Sequence, residues 1–148
     1  MQVPFFRPHI SETAIAEVTD TLRSGWLTTG PKTKEFEANF TAAVDALHGI
    51  ALNSCTAALH LALEALGVQP DDSVIVPTMT FASTAEVVRY MGARPVFVDC
   101  MPDSLAMDCD KLKKTVSDLS ADSGHKLVGV IPVHVAGMML DIERVADI

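Results

Sequence analysis

"DSVIVPTMTFASTAEVVRYMGARPVFVD", residues 72–99, is the stretch whose reading decides the fold. Its opening run, "SVIVP", is apolar without alternation and closed by a proline, which predicts a strand buried on both faces. "TAEVVRYMGA" (84–93) then has helical periodicity and stops at Gly92, and "RPVFVD" (94–99) reads as a second buried strand. Strand, helix, strand is a parallel unit with a right-handed crossover.

The same alternation extends in both directions. Downstream, "DCDKLKKTVSDL" (108–119) predicts a helix capped by Asp108, "KLVGVIPV" (126–133) a further strand, and "LDIERVADI" (140–148) the start of a helix. Upstream, "IALN" (50–53) reads as a short strand and "TAALHLALEALG" (56–67) as a helix with Leu59, Leu63 and Leu66 on one face. Two helices precede these. One spans 11–24, with Ser11 as N-cap, Ile15, Val18 and Leu22 as its stripe, and Gly25 as its stop. The other spans about 33–47, with the stripe Phe36, Phe40, Val44 and Leu47, closed by His48-Gly49. The expected class is α/β: N-terminal helices plus about four mostly parallel strands with crossover helices.

Composition bounds the function. A chain of 148 residues, 49% hydrophobic, can build a core within one domain. The net charge of -8 and the lack of a basic cluster argue against nucleic acid and anionic membranes as partners. No apolar run reaches the roughly 18 residues that cross a bilayer, and "MQVPFFRPHISET" has no signal-peptide layout. Three cysteines, Cys55, Cys100 and Cys109, make no disulfide framework, which points to the cytoplasm. The C-terminal helix pattern reaches Ile148 without a cap, glycine or polar tail, so the chain reads as one cut short, with a frayed terminal helix as the alternative.

Candidate chemistry lies where strands give way to helices. In "NSCTAAL" (53–59), the first turn of a helix leaves backbone N–H groups unpaired, the helix dipole favours an anion, and Ala57 and Ala58 permit close approach. Ser54 and Thr56 add hydroxyls, so a phosphate suits the turn; equally, Ser54 can be a simple N-cap and Thr56 a solvated hydroxyl. Cys55 is open to two readings, a thiol of lowered pKa or a small filler. Phe81, in "VPTMTFAST" (76–84), is either a stacking ring or a core residue. His134, in "IPVHVAG" (131–137), has no second ligand at metal spacing and reads as a hydrogen-bonded structural residue, with a catalytic role as the alternative. GxGxxG, GxxxxGK[ST] and GxSxG are all absent.

Taken in order, "GWLTTGPKTKEFEANF" (25–40), "LNSCTAALHLALEALG" (52–67), residues 72–99 and "IPVHVAGMMLDIERVAD" (131–147) resemble the N-terminal part of the nucleotide-sugar aminotransferases. These are the DegT/StrS group of fold-type-I enzymes dependent on pyridoxal 5'-phosphate (PLP). The resemblance runs from about Phe5 to the end. It implies an incomplete PLP-dependent transferase fold type I large domain, with residues 1–148 as its N-terminal part and the C-terminal remainder absent. It implies that Ser54, Cys55, Thr56 and Ala57 hold the PLP phosphate, with Cys55 where many members have glycine, and that Phe81 stacks on the pyridine ring. "GWLTTGP", with Trp26, Thr28 and Gly30, matches a loop near the active site, where it and His134 would meet substrate. "VHVAG" matches "VHLYG", with Ala136 in place of tyrosine.

The resemblance further implies an amino group moved from glutamate to a nucleotide-linked keto-sugar, in a cytoplasmic homodimer that makes amino sugars. The lysine that bonds to PLP and the aspartate that pairs with its ring nitrogen lie, in the family, beyond the matched region. Lys32, Lys34, Lys111, Lys113, Lys114 and Lys126 have no matching context, so no catalytic residue is assigned and the isolated chain is expected to be inactive. Two other readings stay open: a non-catalytic binding module, and part of a related PLP-dependent sugar dehydratase. The implied sheet places the second, third and fourth strands side by side, with the first apart from them.

Overall fold

A computed structural model describes residues 4, 6–121, 124 and 126–148; Phe5, where the resemblance begins, lies outside the described residues. The chain divides into two compact units, Met1–Ala51 and Leu52–Ile148.

The first unit holds α1 (Glu12–Ser24) and α2 (Pro31–Val44). Ser11 caps α1 by accepting from the Ala14 N–H at 3.1 Å, and Gly25 ends it at φ 73°, the left-handed conformation that glycine adopts without a Cβ penalty. The second helix differs from the expected span. It starts two residues earlier, because Pro31 brings a helical φ to the first turn. It ends at Val44, where Asp45 turns left-handed at φ 53° and Ala46 N–H closes on the Thr41 carbonyl. Leu47 and His48-Gly49 therefore lie past the helix. Phe36 and Phe40 stand 5.9 Å apart, ring to ring, as their spacing of four predicts.

The expected strand over 50–53 is not formed. A strand exists only through a ladder partner, and none flanks this segment among the described residues; the Ala51 N–H instead donates to Glu37 Oε1 at 2.8 Å.

The second unit holds α3 (Cys55–Ala65), β1 (Ser73–Pro77), α4 (Ser83–Tyr90), β2 (Arg94–Val98), α5 (Cys109–Ala121), β3 (Leu127–Val130) and α6 (Ile142–Ala146). The strands form one parallel sheet in the order β2-β1-β3, so the three adjacent strands expected from the sequence lie side by side. Central β1 is buried at all five positions, as its unbroken apolar run requires. Val74 and Val76 face one way, onto Leu63, Val68, Val87 and Val88 of the α3–α4 layer. Ile75 faces the other, clustering with Val98 of β2 and with Met107, Leu112 and Leu140 from the α5–α6 side. The chain moves from β1 out to β2, then back past β1 to β3. Crossovers of one hand must then lie on opposite sheet faces, and α4 and α5 do.

Candidate functional site

Parallel strands deliver their carboxyl ends to one edge, and loops leaving that edge are where such folds bind ligands. Here the edge carries Thr78 after β1, Asp99 after β2 and the 131–134 segment after β3.

The turn into α3 belongs to the same unit. Ser54 is extended (φ -160°, ψ 155°) and its Oγ accepts from the Ala57 N–H at 3.1 Å; its carbonyl accepts from the Ala58 N–H. The N-cap reading of Ser54 is thus realised. It leaves the Cys55 and Thr56 N–H groups without an acceptor among the described residues, at the positive end of an eleven-residue helix. Cys55 is exposed and Ala57 carries only a methyl, so the turn is open to a guest. Two free donors, a favourable dipole and short side chains fit a phosphate.

Phe81 lies in the β1–α4 loop with 79% of its surface exposed, which excludes the core reading. The loop that carries it is tied at both ends. Thr78 N–H donates to the Val98 carbonyl at 2.9 Å, and the Thr80 and Thr84 hydroxyls pair at 2.8 Å. His134 is exposed, and its Nδ1 accepts from the Leu140 N–H at 3.1 Å. That bond fixes the neutral tautomer with its proton on Nε2.

Trp26, Thr28 and Gly30 belong to the first unit. They line a cleft of about 370 Å³ with Asp20, Ser24 and Lys32. Trp26 Nε1–H donates to the Thr29 carbonyl at 3.1 Å, which folds the indole over Gly30.

One cluster escaped the sequence reading. Asp99 Oδ1 accepts from the Thr78 hydroxyl at 3.2 Å and from the Cys100 N–H at 2.9 Å, while Oδ2 takes Lys111 Nζ of α5 at 3.0 Å. The Lys111 bond, with those from Cys100 and Thr78, holds the Asp99 carboxyl below the usual carboxylate range, and the same bond raises Lys111. The signal was the register: Pro77 pairs with Val98, so Thr78 and Asp99 are neighbours once the strands are parallel.

Neither Lys111 nor Lys32 is suited to attack a carbonyl, since an amine must lose its proton first. Lys32 is raised by its hydrogen bond to Glu17, with Asp20 3.5 Å away. No cluster of His, Cys, Asp and Glu able to hold a metal occurs among the described residues, nor a helix long and apolar enough to cross a membrane.

The sequence pattern that defines the DegT/DnrJ/EryC1/StrS aminotransferase family matches residues 8–148. The chain belongs to that family. It is 42% identical over 146 residues to the UDP-4-amino-4-deoxy-L-arabinose--oxoglutarate aminotransferase of Shewanella sediminis (strain HAW-EB3), covering 99% of this chain and 36% of that protein. It is 43% identical over 143 residues to the spore coat polysaccharide biosynthesis protein SpsC of Bacillus subtilis (strain 168), covering 97% and 35%. Among solved structures it superimposes on the Streptococcus pneumoniae protein Spr1654 in its PMP form with a TM-score of 0.86, at 43% identity, covering 99% of this chain and 35% of that one. A PLP form of Spr1654 gives the same TM-score. The chain thus spans about a third of the length of the family members it matches.

Proposed function

We propose that residues 1–148 are the N-terminal part of the PLP-binding large domain of an aminotransferase that moves an amino group, from glutamate, to a nucleotide-linked keto-sugar. The observation that carries the reading is the first turn of α3, where the Cys55 and Thr56 N–H groups have no acceptor among the described residues and Cys55 is exposed. The family match, and relatives solved with PLP and PMP, support it.

In this reading Ser54 sets the turn by taking the Ala57 N–H, and Cys55, Thr56 and Ala57 receive the cofactor phosphate. Phe81 offers its exposed face to the pyridine ring. In the second unit His134 is a substrate contact, donating from Nε2; in the first unit, taken by itself, Trp26, Thr28 and Gly30 are the residues proposed to meet substrate. When bound, PLP supplies an electron sink for breaking bonds at the amino-bearing carbon. The lysine and aspartate that the family uses with it have no counterpart among these 148 residues, so this chain alone is inactive. The protein acts as a cytoplasmic homodimer in amino-sugar synthesis.

The test is amino transfer by the full-length protein. With PLP, glutamate and a nucleotide-linked keto-sugar, 2-oxoglutarate should accumulate in step with amino-sugar, and the 148-residue chain should yield none. A borohydride-stable PLP adduct on any lysine of residues 1–148 would contradict the assignment.

A further inference from the structure

We propose that Thr78, Asp99 and Lys111 form a latch that presets the β1–α4 loop, so that Phe81 is offered to the cofactor ring in one fixed orientation; these are positioning residues, and the inference rests on the PLP reading above.

The latch joins three elements at the carboxyl edge of the sheet. Lys111 reaches from α5 to Asp99 Oδ2 at the end of β2, and Asp99 Oδ1 accepts the Thr78 hydroxyl at the end of β1. Three residues beyond Thr78 stands Phe81, an exposed aromatic on a short loop. An exposed ring on a free loop samples many orientations, and ordering it on binding costs affinity. Here the loop is pinned before the ring by Thr78 and across it by the Thr80–Thr84 hydroxyl pair. Lys111 also lies 3.8 Å from Asp108, whose Oδ1 caps α5. Asp108 N–H in turn donates to the Asp99 carbonyl at 3.0 Å, so the far end of the latch is itself anchored.

The loop carbonyls provide a reporter. Thr84 N–H donates to the Phe81 carbonyl at 3.0 Å and Ala85 N–H to the Ala82 carbonyl at 3.1 Å, so both amides lose protection when the loop moves. The variants are Thr78→Val, which keeps the shape and the backbone bond to Val98 but removes the hydroxyl, Thr78→Ser as rescue, and Lys111→Met at the far end. The full-length protein is measured two ways: amide exchange at Thr84 and Ala85, and PLP-induced circular dichroism, which an achiral chromophore acquires only when held in one orientation.

Loss of the hydroxyl should speed exchange at both amides about fivefold, the effect of one hydrogen bond. It should also cut the ellipticity per bound PLP severalfold, with Thr78→Ser restoring both and Lys111→Met reproducing the loss. Unchanged exchange overturns the latch. Faster exchange with unchanged ellipticity per bound PLP overturns the positioning role and leaves a structural tie. In either case PLP binding by the wild type keeps the cofactor reading intact; no PLP binding by the wild type overturns both.

Discussion

The two units of this chain use the same kind of helix to different ends. In Leu52–Ile148, the apolar faces of α4 and α5 meet opposite sides of a parallel sheet, and Ile75, Val87, Val88 and Leu112 are fully buried. In Met1–Ala51, α1 and α2 carry stripes just as regular, yet Phe36 keeps 58% and Phe40 54% of its surface exposed, and Gly30 is the one buried position among the described residues. An open groove of about 490 Å³, walled by Val18, Leu22 and Phe36, runs along these stripes. Periodicity specifies that a helix has an apolar face. It does not specify that the same stretch of chain contains the cover.

The contrast is broken or sharpened most strongly by truncating one residue from each unit. Ile75→Ala should cost about 2–5 kcal/mol, read as a lowered urea midpoint, because it opens a cavity between the sheet and α5. Phe36→Ala should cost about 1 kcal/mol or less in this chain. Equal losses would show that the stripe is covered after all. A smaller effect is expected at the helix caps: Ser54→Ala should cost about 1 kcal/mol by the same measurement, since the Ala57 N–H loses its acceptor.

In the first unit, Gly30→Ala acts through space rather than dihedral angle, since φ is -168° and open to any residue. The new Cβ would fall 2.2 Å from Trp26 Nε1, so the indole must swing away from the Thr29 carbonyl. Tryptophan emission should shift, reporting Trp26 alone as the chain's single tryptophan.

The smallest effect concerns pH. The Asp99 carboxyl lies below its ordinary value when folded, so its bonds to Lys111, Cys100 and Thr78 contribute stability that is present above the usual carboxylate pKa of about 3.9. That contribution is lost as pH falls through the lowered value. Asp99→Asn should therefore flatten the stability profile below about pH 4 and leave its slope near neutrality unchanged. Lys111 is the charged group that faces it, and Lys111 in turn lies 3.8 Å from Asp108.

How much of this was legible follows from where the information lies. The β1–α4–β2 unit and the caps at Ser11, Ser54 and Asp108 were readable because run length, periodicity and capping residues are local. Residues 50–53 look like a strand locally, but a ladder needs a neighbour, and Ala51 found Glu37 instead. The end of α2 was misplaced because Asp45 turned left-handed where the stripe still continued to Leu47. Of the candidate site, the α3 turn and Phe81 were legible as residue types at a junction. The Thr78–Asp99–Lys111 contacts were not, because they join three elements through a register that no single stretch encodes.

The central claim, that the first turn of α3 takes a cofactor's phosphate, is tested most directly by removing one donor without disturbing the helix. Cys55→Pro does this: proline is favoured at the first helical position, and Ser54 before it is already extended, as a residue preceding proline must be. Affinities for PLP and for pyridoxal, which lacks the phosphate, are compared in the full-length protein. The account predicts that the substitution weakens PLP about tenfold or more, the scale of one charge-assisted hydrogen bond, and leaves pyridoxal unchanged. PLP affinity that stays the same, or falls only as far as that of pyridoxal, would contradict it.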